Sequence, residues 1–186
     1  LVSLLQDGSI STEQTLQLVY QPLALHRVRP VTRCSDTLPG HTDAVLHVSF
    51  NVTGTLLASA GGDAILRFWD AHTNTCKIQH KDHVPYAILS TAWNYQHAFA
   101  SGDMKGQICV YQDCQRVGKI LKGHKSWITS LSWAPFGQPQ LASASKDASI
   151  KIWRALGNQR CLFSLSGHTD SVECVVWGSL LYSASR

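Results

Sequence analysis

Histidine, serine and aspartate recur together in this sequence at a regular spacing. The first set is His41, Ser59 and Asp63, and Trp69 follows the serine by ten residues. A serine beside an imidazole and a carboxylate is the arrangement of a nucleophilic hydrolase, in which the imidazole takes the serine proton. The same residues in a buried site could instead form one hydrogen-bonded chain that satisfies each polar group in it. The residue types alone therefore allow a catalytic or a structural site.

Repetition favours the structural alternative. One further complete set and two partial sets occur: His124, Ser143, Asp147 and Trp153; His83 and Ser101; His168 and Ser183. A hydrolase does not carry several copies of one triad, and the sequence has no G-x-S-x-G element. We therefore expect a structural network in each unit and no catalytic residue. In the second unit Lys105 and Tyr111 stand where the aspartate and tryptophan are expected, so we expect an incomplete network and the lowest stability there.

The histidines mark a repeating unit. They belong to Gly-His or Asp-His pairs, and their successive spacings are 42, 41 and 44 residues. Short apolar or alternating runs within each unit are separated by turn formers such as NVTG at 51–54, which predicts antiparallel strands throughout and an all-β fold. The predicted strands lie at residues 44–50, 55–60, 64–70 and 77–80; 86–93, 97–102, 107–112 and 117–122; 128–134, 140–145, 149–154 and 161–166; 172–178 and 180–185. The period and the flanking Gly-His and Trp-Asp pairs resemble WD40 repeats, which form the four-stranded blades of β-propellers.

This repeat predicts the domain organisation. About three and a half blades are expected, with repeats at residues 36–78, 79–119 (degenerate), 120–163 and 164–186 (truncated). Residues 1–22 differ in pattern and are predicted to be the remnant of a preceding domain, since 22 residues cannot build a core alone. Residues 23–35 form a basic connector that could add a strand to the propeller. Because an open array leaves an apolar flank uncovered, we expect a piece of a longer protein.

Composition excludes several classes of function. The net charge of +4 is scattered, without a run of Lys or Arg typical of a nucleic-acid-binding arm. No apolar stretch approaches 18 residues. The six cysteines lack paired-ligand spacing and are predicted to be buried free thiols, while His72, His80 and His97 near turns are predicted to be solvated or packed rather than metal ligands. We expect no cofactor, metal ion, membrane contact or small-molecule substrate.

Loops on one face of a rigid ring could bind a partner. In WD40 propellers the residues three and five positions after the histidine face the narrow surface around the central channel. These residues are Ala44, Leu46, Tyr86, Ile88, Trp127, Thr129, Ser171 and Glu173. Tyr86, Trp127, Glu173 and the nearby Lys146 are the predicted partner-binding residues, because exposed aromatic side chains are typical interface anchors. Alternatively, Trp127 packs beside its own blade.

The segment before the repeats resembles a more specific family. YQP at 20–22, RVRPVTRC at 27–34 and LPGH at 38–41 are similar to the Notchless family of WD40 proteins, as are the stretches at 106–108, 123–129 and 180–185. The resemblance implies that residues 1–22 end a ubiquitin-like domain and that the blades belong to an eight-bladed ring.

The same resemblance implies a function. It predicts a non-enzymatic scaffold for assembly of the large (60S) ribosomal subunit, bound to proteins and rRNA of the pre-60S particle in the nucleolus and nucleus. In this family an acidic residue of the ubiquitin-like domain completes a metal site on the AAA-type ATPase midasin. Asp7 and Glu13 do not match that position, so the role is not transferred to either. A general WD40 adaptor, such as a ubiquitin-ligase substrate receptor or a signalling scaffold, remains the alternative.

Overall fold

The computed structural model describes Cys34 and residues 36–186. The predicted ubiquitin-like remnant at 1–22 and almost all of the connector at 23–35 lie outside the described residues. All secondary-structure elements of the described residues are β-strands, which confirms the predicted all-β class. None of these described elements is a helix that could span a membrane.

The strands follow one another in short antiparallel pairs. In chain order they are β1 (Val45–Phe50), β2 (Leu56–Gly61), β3 (Leu66–Asp70), β4 (Thr75–His80), β5 (Ile88–Trp93), β6 (Ala98–Asp103), β7 (Gln107–Gln112), β8 (Gln115–Arg116), β9 (Leu121–Lys122), β10 (Ile128–Trp133), β11 (Gln140–Ser145), β12 (Ser149–Arg154), β13 (Arg160–Ser166), β14 (Val172–Trp177) and β15 (Leu181–Ser185).

These strands form consecutive sheets, which we call blades one to four. Blade one has the order β1-β2-β3-β4, blade two β5-β6-β7-β8 with β9 also on β7, blade three β10-β11-β12-β13, and blade four β14-β15. The prediction of a single strand at 117–122 is wrong, because the two short strands β8 and β9 pair with β7 instead. Gly118 between them has φ +66°, a left-handed conformation that interrupts an extended strand.

The core lies between neighbouring blades. Between blades one and two, the ring of Phe68 contacts the rings of Trp93, Phe99 and Tyr111 edge-on, at centroid distances of 5.6, 5.1 and 5.9 Å. The indole nitrogen of Trp93 also donates to the carbonyl of Ser49 in blade one at 3.1 Å. Similar apolar clusters join blade two to blade three and blade three to blade four. Each blade therefore depends on its neighbour for burial, as in other repeat folds.

The outer flanks carry exposed apolar side chains. In blade one Val48 is 56% and Phe50 59% exposed, and in blade four Val176 and Tyr182 are more than half exposed. The expected apolar flank is therefore present on both sides of the described array.

The cysteines only partly follow the prediction. Cys109 and Cys114 are buried, but the other four are exposed: Cys34, Cys76, Cys161 and Cys174. The prediction of buried thiols is wrong for these four. Cys76 and Cys161 belong to β4 and β13, the outermost strands of their blades, where one edge of the sheet meets solvent.

Replacing Gly102 by alanine is expected to destabilise the chain by about 1–3 kcal/mol, the typical cost of overpacking. A Cβ atom at Gly102 would lie 2.5 Å from Cγ2 of Ile128 in the next blade. Gly167→Ala is the matched control, since nothing lies within 4 Å of its added Cβ. Urea unfolding monitored by tryptophan fluorescence measures both, and equal effects would show that blades two and three are not closely packed at Gly102.

Candidate partner-binding face

In blade one the predicted set forms a directed hydrogen-bonded chain. The indole nitrogen of Trp69 donates to the hydroxyl oxygen of Ser59 at 2.8 Å, and that hydroxyl lies 2.7 Å from Nε2 of His41. Because the indole N–H uses the serine oxygen as an acceptor, the hydroxyl proton is free to point to Nε2. Nδ1 of His41 lies 2.9 Å from Asp63 Oδ2 and also 2.9 Å from Nη1 of Arg67, so both side chains hold this side of the ring. Each buried polar group in the chain has a partner.

Blade three repeats this geometry. The distances are 2.8 Å from Trp153 Nε1 to Ser143 Oγ, 2.7 Å from Ser143 Oγ to His124 Nε2, and 2.9 Å from His124 Nδ1 to Asp147 Oδ2. Burial lowers the pKa of His124, which is consistent with a neutral ring. Burial would raise the pKa of Asp147, but hydrogen bonds from Ser149, the backbone of Lys125 and His124 bring it down to about 2.

The expectation of an incomplete network in blade two is wrong for the carboxylate. Asp103, which is fully buried, supplies the missing carboxylate, and its Oδ2 lies 2.7 Å from Nδ1 of His83. Its other oxygen accepts hydrogen bonds from the backbone N–H groups of Lys105 and Gln107 at 2.8 and 2.9 Å. Asp103 follows Ser101 by two residues, whereas Asp63 follows its serine by four, so alignment by spacing overlooks it.

Blade two does lack the tryptophan, and it has Cys109 opposite its serine where blades one and three have Arg67 and Lys151. The hydroxyl of Tyr111 donates to Asp82 at 3.2 Å, so no indole N–H reaches Ser101. The Ser101 oxygen lies 2.7 Å from Nε2 of His83 and can accept a hydrogen bond from it. Burial by itself lowers the pKa of His83, but the interactions with Asp103 and Cys109 together outweigh burial and raise the pKa to about 9. Blade two thus favours an imidazolium–carboxylate pair where blade three has a neutral ring.

Arg67 completes the blade-one network and was not predicted. Its buried guanidinium donates to Asp63 Oδ2 at 3.0 Å and to the carbonyl of Gly40 at 2.7 Å. The sequence signal was a single basic residue inside the apolar run AILRFW at 64–69. In blade four, by contrast, His168 and Ser183 are 2.8 Å apart at an exposed position.

The described residues show no group of three or more His, Cys, Asp or Glu side chains that could hold a metal ion. The His-Ser-Asp sets have the outline of a hydrolase triad, but the hydroxyl of Ser59 is buried and receives an indole N–H. That N–H holds the serine oxygen inside the network, away from solvent. The arrangement is suited to holding strands together rather than to attacking a substrate.

The network fixes the loops at one end of every blade. Because strands alternate in direction, the loop before the first strand and the turn after the second lie at the same end of a sheet. A backbone hydrogen bond joins them in each blade, in the pairs Gly62–Ala44, Met104–Ala87, Lys146–Trp127 and Arg186–Ser171. We call this end of the array the loop face.

Two lysine–aromatic pairs lie on the loop face. Nζ of Lys146 is 3.7 Å from the ring centroid of Trp127, and Nζ of Lys105 is 5.6 Å from that of Tyr86. Both distances fall within the range of cation–π attraction. Tyr86 is 36% and Trp127 37% exposed, so each ring packs partly on its blade and still presents a surface to solvent. Of the predicted partner-binding residues, the structure thus brings Trp127 and Lys146 together, and it pairs Tyr86 with Lys105, which was not predicted.

The two pairs belong to one continuous surface. Gly106, beside Lys105, packs closely against blade three. A Cβ atom added to Gly106 would lie 2.7 Å from the carbonyl oxygen of Ser126. Ser126 is the residue before Trp127, and the exposed Lys125 precedes it. We define the lysine–aromatic strip as Tyr86, Lys105, Lys125, Trp127 and Lys146.

Two other residues that were predicted to lie on the narrow face are not part of the strip. Ile88 is fully buried in the core between blades one and two, so its predicted place on the narrow face is wrong. The pairing of Ile88 with Asp103 matches that of Val45 with Gly61, which shows that blade two has one extra residue after its histidine. Glu173 lies at a bulge in β14, with Oε1 3.4 Å from Nε of Arg186, and the structure does not bring it into the strip.

Comparison with known proteins identifies the repeats. The family described as WD domain, G-beta repeat matches residues 32–70, 114–154 and 159–186. Residues 71–113, which include most of the predicted degenerate repeat, are unmatched although they complete blade one and form most of blade two.

Similar proteins confirm the predicted resemblance to Notchless. The chain is 37% identical to Protein Notchless of Drosophila melanogaster, over 96% of this chain and 38% of that protein. It is 39% identical to Ribosome assembly protein 4 of Saccharomyces cerevisiae, over 93% of this chain and 35% of that protein. The chain therefore spans little more than a third of the length of these relatives.

A solved structure supports the fold independently. The structure of U3-55K matches 80% of this chain and 47% of its own, with a TM-score of 0.73 at 21% sequence identity. With the repeat matches and the observed blades, this shows the expected propeller architecture, with two four-stranded blades, one blade whose fourth strand is split into β8 and β9, and part of a fourth blade. The chain belongs to the WD domain, G-beta repeat family of WD40 proteins.

Proposed function

We propose that this chain is part of a non-enzymatic scaffold that assists assembly of the large ribosomal subunit and contacts the pre-60S particle through its loop face. The main support is its similarity to proteins named Notchless and Ribosome assembly protein 4, which extends over more than nine-tenths of the chain. The exposed rings of Tyr86 and Trp127 on a rigid blade framework supply a surface suited to recognition.

The proposal also covers the cellular location of the assembly and the ATPase that acts on the particle. The particle would mature in the nucleolus and nucleus, and a midasin-type ATPase would remodel it through a ubiquitin-like domain preceding the blades. This rests on the resemblance of the 20–41 segment to the Notchless connector. Neither Asp7 nor Glu13 matches the position of the acidic residue that makes this contact in the family, so the proposal assigns the contact to neither of them.

Affinity purification tests the proposal. The endogenous protein is tagged, purified gently and analysed by mass spectrometry for the proteins that accompany it. Recovery of large-subunit precursors with a midasin-type ATPase supports the proposal. Recovery of ubiquitin-ligase subunits or signalling proteins, without ribosomal precursors, would overturn it in favour of a general adaptor.

Replacing Ser59 by alanine is expected to destabilise the chain by about 1–3 kcal/mol, because the indole N–H of Trp69 and Nε2 of His41 lose their shared partner inside the protein. Chemical unfolding measures the change, with Ser179→Ala at an exposed loop as the control. A nucleophilic serine would give the opposite result, in which a hydrolytic activity disappears while the unfolding free energy stays the same.

A further inference from the structure

The loop face is divided by charge. The three lysines of the strip, Lys105, Lys125 and Lys146, are exposed, and none of them forms an ion pair with another described residue. Lys81 follows β4 and Lys122 is the last residue of β9; both are also exposed and lead into the same two loops. Blades two and three therefore present exposed lysines around two aromatic rings, while the carboxylate of Asp147, beside Lys146, is held in hydrogen bonds with His124, Ser149 and the backbone of Lys125.

The neighbouring blades do not continue this surface. In blade one, Ala44 and Gly62 take the places that Trp127 and Lys146 have in blade three, as their shared backbone hydrogen bond shows. In blade four the same places hold Ser171 and Arg186, and Arg186 is near Glu173. Exposed carboxylates, Asp43 in blade one and Asp170 in blade four, lie in the loops on either side. A bound polyanion would thus be confined to blades two and three.

The chemistry of the strip matches a single-stranded nucleic acid. Aromatic rings stack on bases, and lysines attract the phosphates between them, without requiring a particular base sequence. A duplex hides its base faces in the helix, and an acidic peptide would use the lysines but not the rings. The strip provides both kinds of contact, with two aromatic rings for bases and three lysines for phosphates.

We propose that the lysine–aromatic strip binds an unpaired segment of RNA, in which bases take the places that Lys105 and Lys146 hold over the rings of Tyr86 and Trp127, and these lysines, with Lys125, turn to the phosphates. The assignment to RNA rather than DNA rests on the proposed role in ribosome assembly; the contacts themselves rest on the geometry of the strip. The strip adds a nucleic-acid site to a chain whose sequence shows no basic run.

The test is binding of a fluorescein-labelled oligouridylate to the full 186-residue chain, followed by fluorescence anisotropy. Trp127→Ala is expected to weaken binding about tenfold or more through loss of a stacked base. Lys146→Glu, at an exposed side chain that folding does not require, is expected to weaken binding and to lower the slope of log affinity against log salt by about 0.7 or more. The matched controls are Phe136→Ala, an 83% exposed ring at the opposite end of blade three, and Lys119→Glu, an exposed lysine outside the strip.

Competitors separate the remaining alternatives. Unlabelled unpaired RNA should displace the probe, whereas duplex RNA and polyglutamate of equal charge should compete at least tenfold less well. The inference is overturned if Lys146→Glu binds the probe as tightly as the parent chain, if Phe136→Ala and Lys119→Glu weaken binding as much as the strip variants, or if polyglutamate competes equally. If ribosomal precursors still accompany the tagged protein while the RNA test fails, the proposed function stands and only the RNA site falls.

Discussion

Asp103→Ala is expected to destabilise the chain by about 3–5 kcal/mol, the range for removing one partner of a buried charge pair. The side chain of Asp103 is fully buried and neutralises His83 at 2.7 Å. Its loss would also leave the backbone N–H groups of Lys105 and Gln107 without their acceptor. Urea unfolding of the parent chain and the variant measures the difference.

Lys105→Ala is the matched control, because Lys105 holds the place where spacing predicts the aspartate. Its side chain is exposed, so an effect within about 0.5 kcal/mol is expected. A large loss for Lys105→Ala with little change for Asp103→Ala would contradict the observed network and restore the alignment-based assignment.

The free energy of unfolding is expected to fall by about 3 kcal/mol between pH 6.5 and pH 9 through His83 alone. The folded pKa of His83, about 9, exceeds its ordinary value of 6.5, because the interactions with Asp103 and Cys109 together outweigh the effect of burial. A group that binds its proton more tightly when folded stabilises the fold below its unfolded pKa. That contribution disappears as the pH rises through the folded pKa, and a rise from 6.5 to 9 corresponds to about 3 kcal/mol.

Comparison with His83→Gln isolates this contribution from other titrating groups. The difference in unfolding free energy between the parent chain and the variant should be largest at pH 6 and should shrink by pH 9. His124, whose pKa is lowered by burial, contributes in the opposite sense, since its stabilisation is present above 6.5 and is lost in acid. A difference that grows between pH 6 and pH 9 would show that His83 is neutral in the folded chain.

The two histidines show how neighbouring residues change the electrostatics of a repeated site. His83 and His124 each contact a serine at 2.7 Å and an aspartate at 2.7 and 2.9 Å. In blade three burial and the charge of Lys151 lower the pKa of His124, whereas Cys109 holds the corresponding place in blade two and helps to raise the pKa of His83. Tyr111 provides no indole N–H to Ser101 in the hydrogen bonds of blade two, and the ring of His83 can donate from both nitrogens. The degenerate repeat is thus a differently charged version of the same network rather than a broken one.

Periodicity in the sequence determined the repeated framework. The strands of blades one and three and the networks around His41 and His124 follow from local patterns, because alternation sets which side chains share a face of a strand. The spacing from Ser59 to Trp69 is equally local, since two antiparallel strands and their turn have a fixed length. Features confined to one hairpin could therefore be predicted residue by residue.

Tertiary structure decided the features that depend on distance in space. Asp103 replaces the expected aspartate from a different position in the repeat, because a hydrogen bond requires only that the two atoms lie close together. An extra residue after His83 also shifts the loop by one position. The same shift buries Ile88. Blade packing, which no single hairpin specifies, set the exposure of the cysteines.

The lysine–aromatic strip shows the difference most clearly. Its members extend from Tyr86 to Lys146 in a sequence whose charge is scattered. They form one surface because neighbouring blades set corresponding loops side by side, with Gly106 against the carbonyl of Ser126. The sequence by itself determined the repeating unit and its internal hydrogen bonds; the packing of one unit on the next decided which charges and rings share a face, since that depends on contacts between residues far apart in the chain.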